Sequence, residues 1–68
     1  MRDTLTLYAE RECCEPRLIY GPAECSLHDL EELIVEMEDE CTWPEGFDAV
    51  AVDQHGTRWL YDCEWSAL

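Results

Sequence analysis

Residues 26–41 read SLHDLEELIVEMEDEC, and the fold is decided there. Leu27, Leu30, Leu33, Ile34, Met37 and Cys41 recur at three- and four-residue intervals, the spacing that aligns side chains along one side of an α-helix. Ser26 stands just before the first apolar position. Asp29, three residues on, is placed to reach back to the Ser26 N–H in a variant of the capping box. Thr42-Trp43-Pro44-Glu45-Gly46 follows and carries residues that stop a helix. The spacing predicts one amphipathic helix over residues 27–41, with a single apolar stripe that a single sheet face would cover.

Strand patterns flank the helix on both sides. Thr4-Leu5-Thr6-Leu7-Tyr8-Ala9-Glu10 alternates with period two, putting Leu5, Leu7 and Ala9 on one side. Arg17-Leu18-Ile19-Tyr20 is a second short β-rich run, which Gly21-Pro22 is expected to end, so residues 4–20 read as a hairpin. Beyond the helix, residues 47–52 and 57–63 flank Asp53-Gln54-His55-Gly56, a polar segment suited to a turn, and make a second hairpin over 47–63. The expected fold is α+β, in the order β-β-α-β-β: a four-stranded antiparallel sheet with one amphipathic helix packed on one face and the other face open. Residues 1–68 read as a single compact domain without repeat or linker. Trp59, Tyr61 and Trp65 share strand parity and are expected under the helix, Trp43 is expected as an exposed anchor, and Cys41 and Cys63 as small core residues.

Charge sets the function classes. Seventeen Asp and Glu stand against four Arg and no Lys, a formal net charge of -13 in 68 residues. The imbalance is lopsided, since residues 1–20 carry a net of -1 and residues 21–68 a net of -12. Self-repulsion of this size opposes compaction, and a chain this short has little stability to spare. Apolar runs and seven aromatic residues nevertheless argue for a packed core rather than an acidic tail. No apolar leader segment or membrane-length run occurs, and the five Cys are an odd number, so reduced thiols and the cytosol are the expected setting. Direct nucleic-acid binding is disfavoured, because phosphate contacts need the Lys and Arg that this chain lacks.

The acids gather on the helix. Asp29, Glu32, Glu36 and Glu40 lie three or four residues apart and form a ridge, flanked by Glu31, Glu38 and Asp39. Glu32/Glu36 and Glu36/Glu40 are like-charge pairs that cost roughly 0.2–0.5 kcal/mol each, and Glu38, Asp39 and Glu40 face the negative end of the helix dipole. Local rules broken without a structural gain mark a functional surface. Carboxylates four residues apart repeat about every 6 Å along a helix, of the same order as the roughly 3.4 Å phosphate step of a DNA strand. Glu32, Glu36, Asp39 and Glu40, with Asp29, Glu31 and Glu45 as a rim, are therefore the expected partner-binding residues of a nucleic-acid mimic directed at a basic protein surface. A solvated face without a partner is the competing reading of the same run.

Other chemistries lack their constellations. Cys25-Ser26-Leu27-His28, with Cys13, Cys14 and His55, offers zinc-ligand types, but the chain has no C-x-x-C or H-x-x-x-H pair. No calcium-loop spacing occurs, and no Ser or Cys stands in a strand-turn-helix elbow with a base. The expectation is no enzyme, no cofactor and no metal.

In size, charge and organisation the whole chain resembles the phage and mobile-element inhibitors known as anti-CRISPR proteins. The likeness is to the DNA-mimicking inhibitors of type I complexes, such as those of the type I-C group. No sequence motif carries the resemblance, so it assigns no residue a role. It implies a basic DNA-binding partner, a Cas subunit that grips duplex DNA beside the PAM or along the displaced strand, inhibited by occupancy in the host bacterial cytosol. A monomer or weak dimer is expected. The alternative from a different class is an acidic adaptor or antitoxin-like protein that neutralises some other basic partner.

Overall fold

A computed structural model describes residues 3–68 of the chain; Met1 and Arg2 lie outside them. Period-two alternation produces the first strand, β1 (Asp3–Glu10), which buries Leu5, Leu7 and Ala9 on one side. β2 (Arg17–Cys25) pairs with it, and the helix α1 (Leu27–Asp39) follows. β3 (Asp48–Asp53), β4 (Arg58–Tyr61) and β5 (Trp65–Ala67) come next. The strands form one antiparallel sheet in the order β2-β1-β3-β4-β5, with α1 on one face.

The core is what the stripe and the alternation jointly build. Leu30 and Ile34 of α1 pack into one cluster with Leu5, Leu7, Cys25, Ala49 and Ala51. The register sets Leu7 beside Ala51 and Ala9 beside Ala49, so small side chains on β3 leave room for the helix. Ile19, Leu27, Leu33, Trp43, Trp59, Tyr61 and Trp65 close the rim. Trp65 Nε1 donates to the Leu27 carbonyl at 3.1 Å, and its ring lies 5.1 Å from that of Tyr61, tying β5 to the start of the helix. Among the described residues no helix is long and apolar enough to cross a membrane.

Several expectations need correction. The sheet has five strands rather than four, because the run over residues 57–63 breaks after Tyr61. Cys63 takes a left-handed φ of 64°, the Asp62 N–H donates to the Glu64 carbonyl at 3.0 Å, and Trp65 returns opposite Tyr61. Gly21-Pro22 does not end β2. Tyr20 opposes Leu7 and Ala23 opposes Leu5, so Gly21 and Pro22 form a bulge in an edge strand, where proline is tolerated. Gly21 is required at that point: its φ is +94°, and a Cβ there would meet the Leu5 carbonyl oxygen at 2.6 Å.

The helix stops at Asp39, two residues short of the predicted end. The Cys41 N–H donates to the Glu38 carbonyl at 3.1 Å and the Thr42 N–H to the Met37 carbonyl at 2.8 Å, a Schellman termination with Cys41 at φ 60° where glycine is usual. That geometry turns Cys41 out of the stripe, so it is exposed, as is Cys63; the buried cysteine is Cys25. Trp43 is not an exposed anchor either. It is half-buried against the core, and its Nε1 donates to the Phe47 carbonyl at 3.0 Å.

If the stripe holds the fold together, Ile34→Ala will destabilise the protein by about 2–5 kcal/mol, the usual cost of emptying a core site. In a domain this small that lowers the melting temperature by roughly 4–8 °C per kcal/mol. Ser26→Ala will cost about 1 kcal/mol through the lost cap. Thermal unfolding followed by circular dichroism checks both, and an unchanged melting curve for Ile34→Ala would contradict the packing described.

Candidate functional site

The cap and the stripe together decide which way each carboxylate on α1 faces. Ser26 Oγ accepts from the Asp29 N–H at 3.2 Å, and Asp29 Oδ2 accepts from the Ser26 N–H at 3.0 Å, so the capping box is complete. Asp29 is thereby half-buried and engaged in the cap, on the flank of the helix beside Tyr20, Glu24 and Leu33. With Leu30 and Ile34 directed into the sheet, the opposite side of the helix presents His28, Glu32, Val35, Glu36 and Asp39 to solvent.

Glu31 departs from this outward set. The Tyr61 hydroxyl donates to its Oε1 at 3.1 Å, which draws the carboxylate toward β4. Burial pushes the Tyr61 phenol above its ordinary value of 10.0, and the hydrogen bond and negative charge of Glu31 push it the same way, with smaller contributions from Cys63 and Glu38. On its other side Glu31 Oε2 lies 3.6 Å from His28 Nδ1, while His28 Nε2 lies 3.4 Å from Glu32 Oε1. His28 therefore sits between two carboxylates on consecutive residues.

Glu32, Glu36, Asp39 and Glu40 are exposed, and they follow one another along the outer helix surface to its C-terminus. A shallow depression runs along this surface, lined by His28, Glu31, Glu32, Val35, Glu36 and Asp39. Val35 is 53% exposed at its centre. Glu45 lies elsewhere, in the turn after the helix, where Glu38, Cys41, Trp43 and Phe47 line a separate depression. The structure thus brings Glu32, Glu36 and Asp39 together around one depression with Glu31 at its margin, leaves Glu40 exposed at the helix C-cap beyond it, uses Asp29 in the cap and sets Glu45 apart.

Sequence reasoning passed over His28 and Val35 as members of this surface. Helical spacing carried the signal, since residues 28, 32, 35 and 39 fall on one line that avoids the apolar stripe.

The described arginines are placed away from the ridge. Arg58 pairs with Glu10 across the sheet. The guanidinium carbons of Arg11 and Arg17 lie 5.9 and 6.0 Å from the centre of the Phe47 ring, where a cation meets the negative ring face. No basic residue occupies the last turn of α1. Glu36, Asp39 and Glu40 consequently repel one another at a helix end whose dipole already disfavours anions. Among the described residues no three His, Cys, Asp or Glu side chains are grouped to hold a metal ion.

Comparison of the chain with protein-family models, curated proteins and solved structures finds no match. The functional reading therefore rests on the chemistry of these side chains.

The inward turn of Glu31 has a pH signature. Tyr61 ionises above the ordinary value in the folded state, so its contribution to stability is whole below the unfolded tyrosine value and is lost as pH rises through the folded one. Spectrophotometric titration, with Tyr61→Phe to assign the signal, will show Glu31→Gln moving the Tyr61 transition to lower pH. A transition that stays in place would put Glu31 in solvent.

Proposed function

We propose that this protein is a non-enzymatic inhibitor that mimics DNA and occupies the basic DNA-binding surface of a protein partner. In this reading the partner is a Cas subunit of a type I CRISPR effector complex, blocked where it holds the PAM or the adjoining duplex. The observation that carries the proposal is the exposed line of Glu32, Glu36, Asp39 and Glu40, which runs to the helix end without an arginine beside it among the described residues. A surface of Lys and Arg that normally neutralises phosphates would form charge-assisted hydrogen bonds with these carboxylates. It would also attract them from a distance, raising the association rate.

The helix suits this role because it holds the carboxylates on a backbone anchored by Leu30 and Ile34. Preorganised charges lose little freedom on docking, so more of the electrostatic attraction survives as affinity. Inhibition needs no turnover: the decoy excludes duplex DNA for as long as it stays bound.

One observation favours the second reading, an acidic adaptor or antitoxin-like protein that neutralises a different basic partner. Val35 sits exposed among the acids, and an apolar contact at the centre of a charged frame fits a protein surface with an apolar patch between its cations. The two readings divide on competition by DNA.

The test combines charge reversal with competition. Glu32→Lys, Glu36→Lys and Glu40→Lys together will weaken binding to a type I complex by roughly two orders of magnitude or more, since like charges across an interface cost several kcal/mol. Folding will be retained, because the substitutions relieve like-charge pairs on an exposed face. PAM-containing duplex DNA will displace the wild-type protein, and added salt will weaken the complex. A triple variant that inhibits at full strength would remove the proposed footprint, and a complex that duplex DNA cannot displace would transfer the case to the adaptor reading.

A further inference from the structure

The loop between β1 and β2 carries a pair of thiols for which the decoy reading has no use. Cys13 and Cys14 are consecutive in the chain, and both are free and exposed. Residues 11–18 are all exposed, so a small molecule can approach this loop directly from solvent.

The turn fixes how the two side chains stand. The Cys14 N–H donates to the Arg11 carbonyl at 3.1 Å, and Cys13 has a φ of 70° while Glu12 stays out of the positive region. That combination is a type II turn with Cys13 at its third position, where glycine is usual. A left-handed residue interrupts the alternation that sends consecutive side chains of a strand to opposite sides. Cys13 and Cys14 therefore do not diverge as strand neighbours do.

Two other fates of the pair are disfavoured. The peptide bond joining the cysteines is trans, which holds their Cα atoms about 3.8 Å apart. Disulfides ordinarily need about 4.4 Å or more, so direct closure would distort the turn. A structural zinc ion takes four ligands, and among the described residues no three His, Cys, Asp or Glu side chains are grouped to hold a metal. What remains is a centre that two thiols satisfy and that bridges them through a third atom. Bonds of about 2.3 Å to each sulfur, the length of a zinc–thiolate bond, let the sulfurs stay roughly 3 Å or more apart.

We infer that Cys13 and Cys14 form a bidentate dithiol site for a trivalent arsenical. With phenylarsine oxide, two S–H bonds and the arsenic–oxygen bond break, two As–S bonds form and one water leaves. Arsenic stays trivalent, so the step needs no oxidant or reductant. Once one thiol is joined the second is a single residue away, and that effective concentration favours the chelate roughly 100-fold or more over a single thiol. Cys41 and Cys63 are also exposed and left-handed, at φ 60° and 64°, but neither has a cysteine beside it in the sequence. Cys25 is buried.

The site shares no residue with the acidic line on α1, so its test is independent of the decoy reading. The reduced full chain is treated with phenylarsine oxide in excess 2-mercaptoethanol and read by intact mass. One adduct per chain will form, will resist the monothiol and will be removed by 2,3-dimercaptopropanol. Cys13→Ser and Cys14→Ser will each weaken capture roughly 100-fold, the loss of the chelate. Cys41→Ser with Cys63→Ser will leave it unchanged. All four residues are exposed, so circular dichroism will show the fold intact in each variant. No adduct on the wild-type chain, or one that the monothiol removes, would overturn the inference. So would capture that survives Cys13→Ser, or that is lost with Cys41 and Cys63.

Discussion

Burial of Leu30 and Ile34 against Leu5, Leu7 and the alanines of β3 is the constraint on which the molecule depends. A chain with thirteen uncompensated negative charges must gain its stability from apolar contact, and α1 supplies one stripe for that purpose. Once the stripe is seated the helix cannot rotate, and the direction of every acid on it follows. The presentation of Glu32, Glu36, Asp39 and Glu40 to solvent is therefore a consequence of core packing rather than of any interaction among the acids.

The carboxylates differ in what they do for the fold. Asp29 completes the helix cap and Glu31 accepts from Tyr61, so both contribute to structure. Glu36, Asp39 and Glu40 face the unfavourable end of the helix dipole. Termination at Cys41 adds a left-handed residue that carries a Cβ, a conformation that glycine would adopt with less strain. Local unfavourable terms thus accumulate at the C-terminal half of the helix and not at the N-terminal half. That gradient separates an end of the helix that serves the fold from one whose carboxylates stay in solvent.

The two sides of the sheet contrast in kind. Under the helix lies a core that reaches the aromatic rim of Trp59, Tyr61 and Trp65. On the far side a thinner apolar layer is bridged by the Arg58–Glu10 pair and bounded by exposed leucines.

What the sequence by itself determined is whatever depends on near neighbours. The 3.6-residue spacing from Leu27 to Met37 announced the helix and its inward side, Ser26 and Asp29 announced its start, alternation announced β1, and the apolar run before the polar turn at 53–56 announced β3. The acids at Glu32, Glu36, Asp39 and Glu40 were legible for the same reason. The tertiary structure alone decided the features set by distant backbone or by unusual dihedral angles. The turn at Cys63 that creates β5 and the left-handed Cys41 that shortens the helix carry no glycine or proline to signal them. The bulge at Gly21-Pro22 is fixed by close approach to Leu5 across the sheet, and the inward turn of Glu31 by Tyr61, thirty positions along the chain. Periodicity tells a side chain which side of its own element it occupies, but only the pairing of elements tells it what waits there.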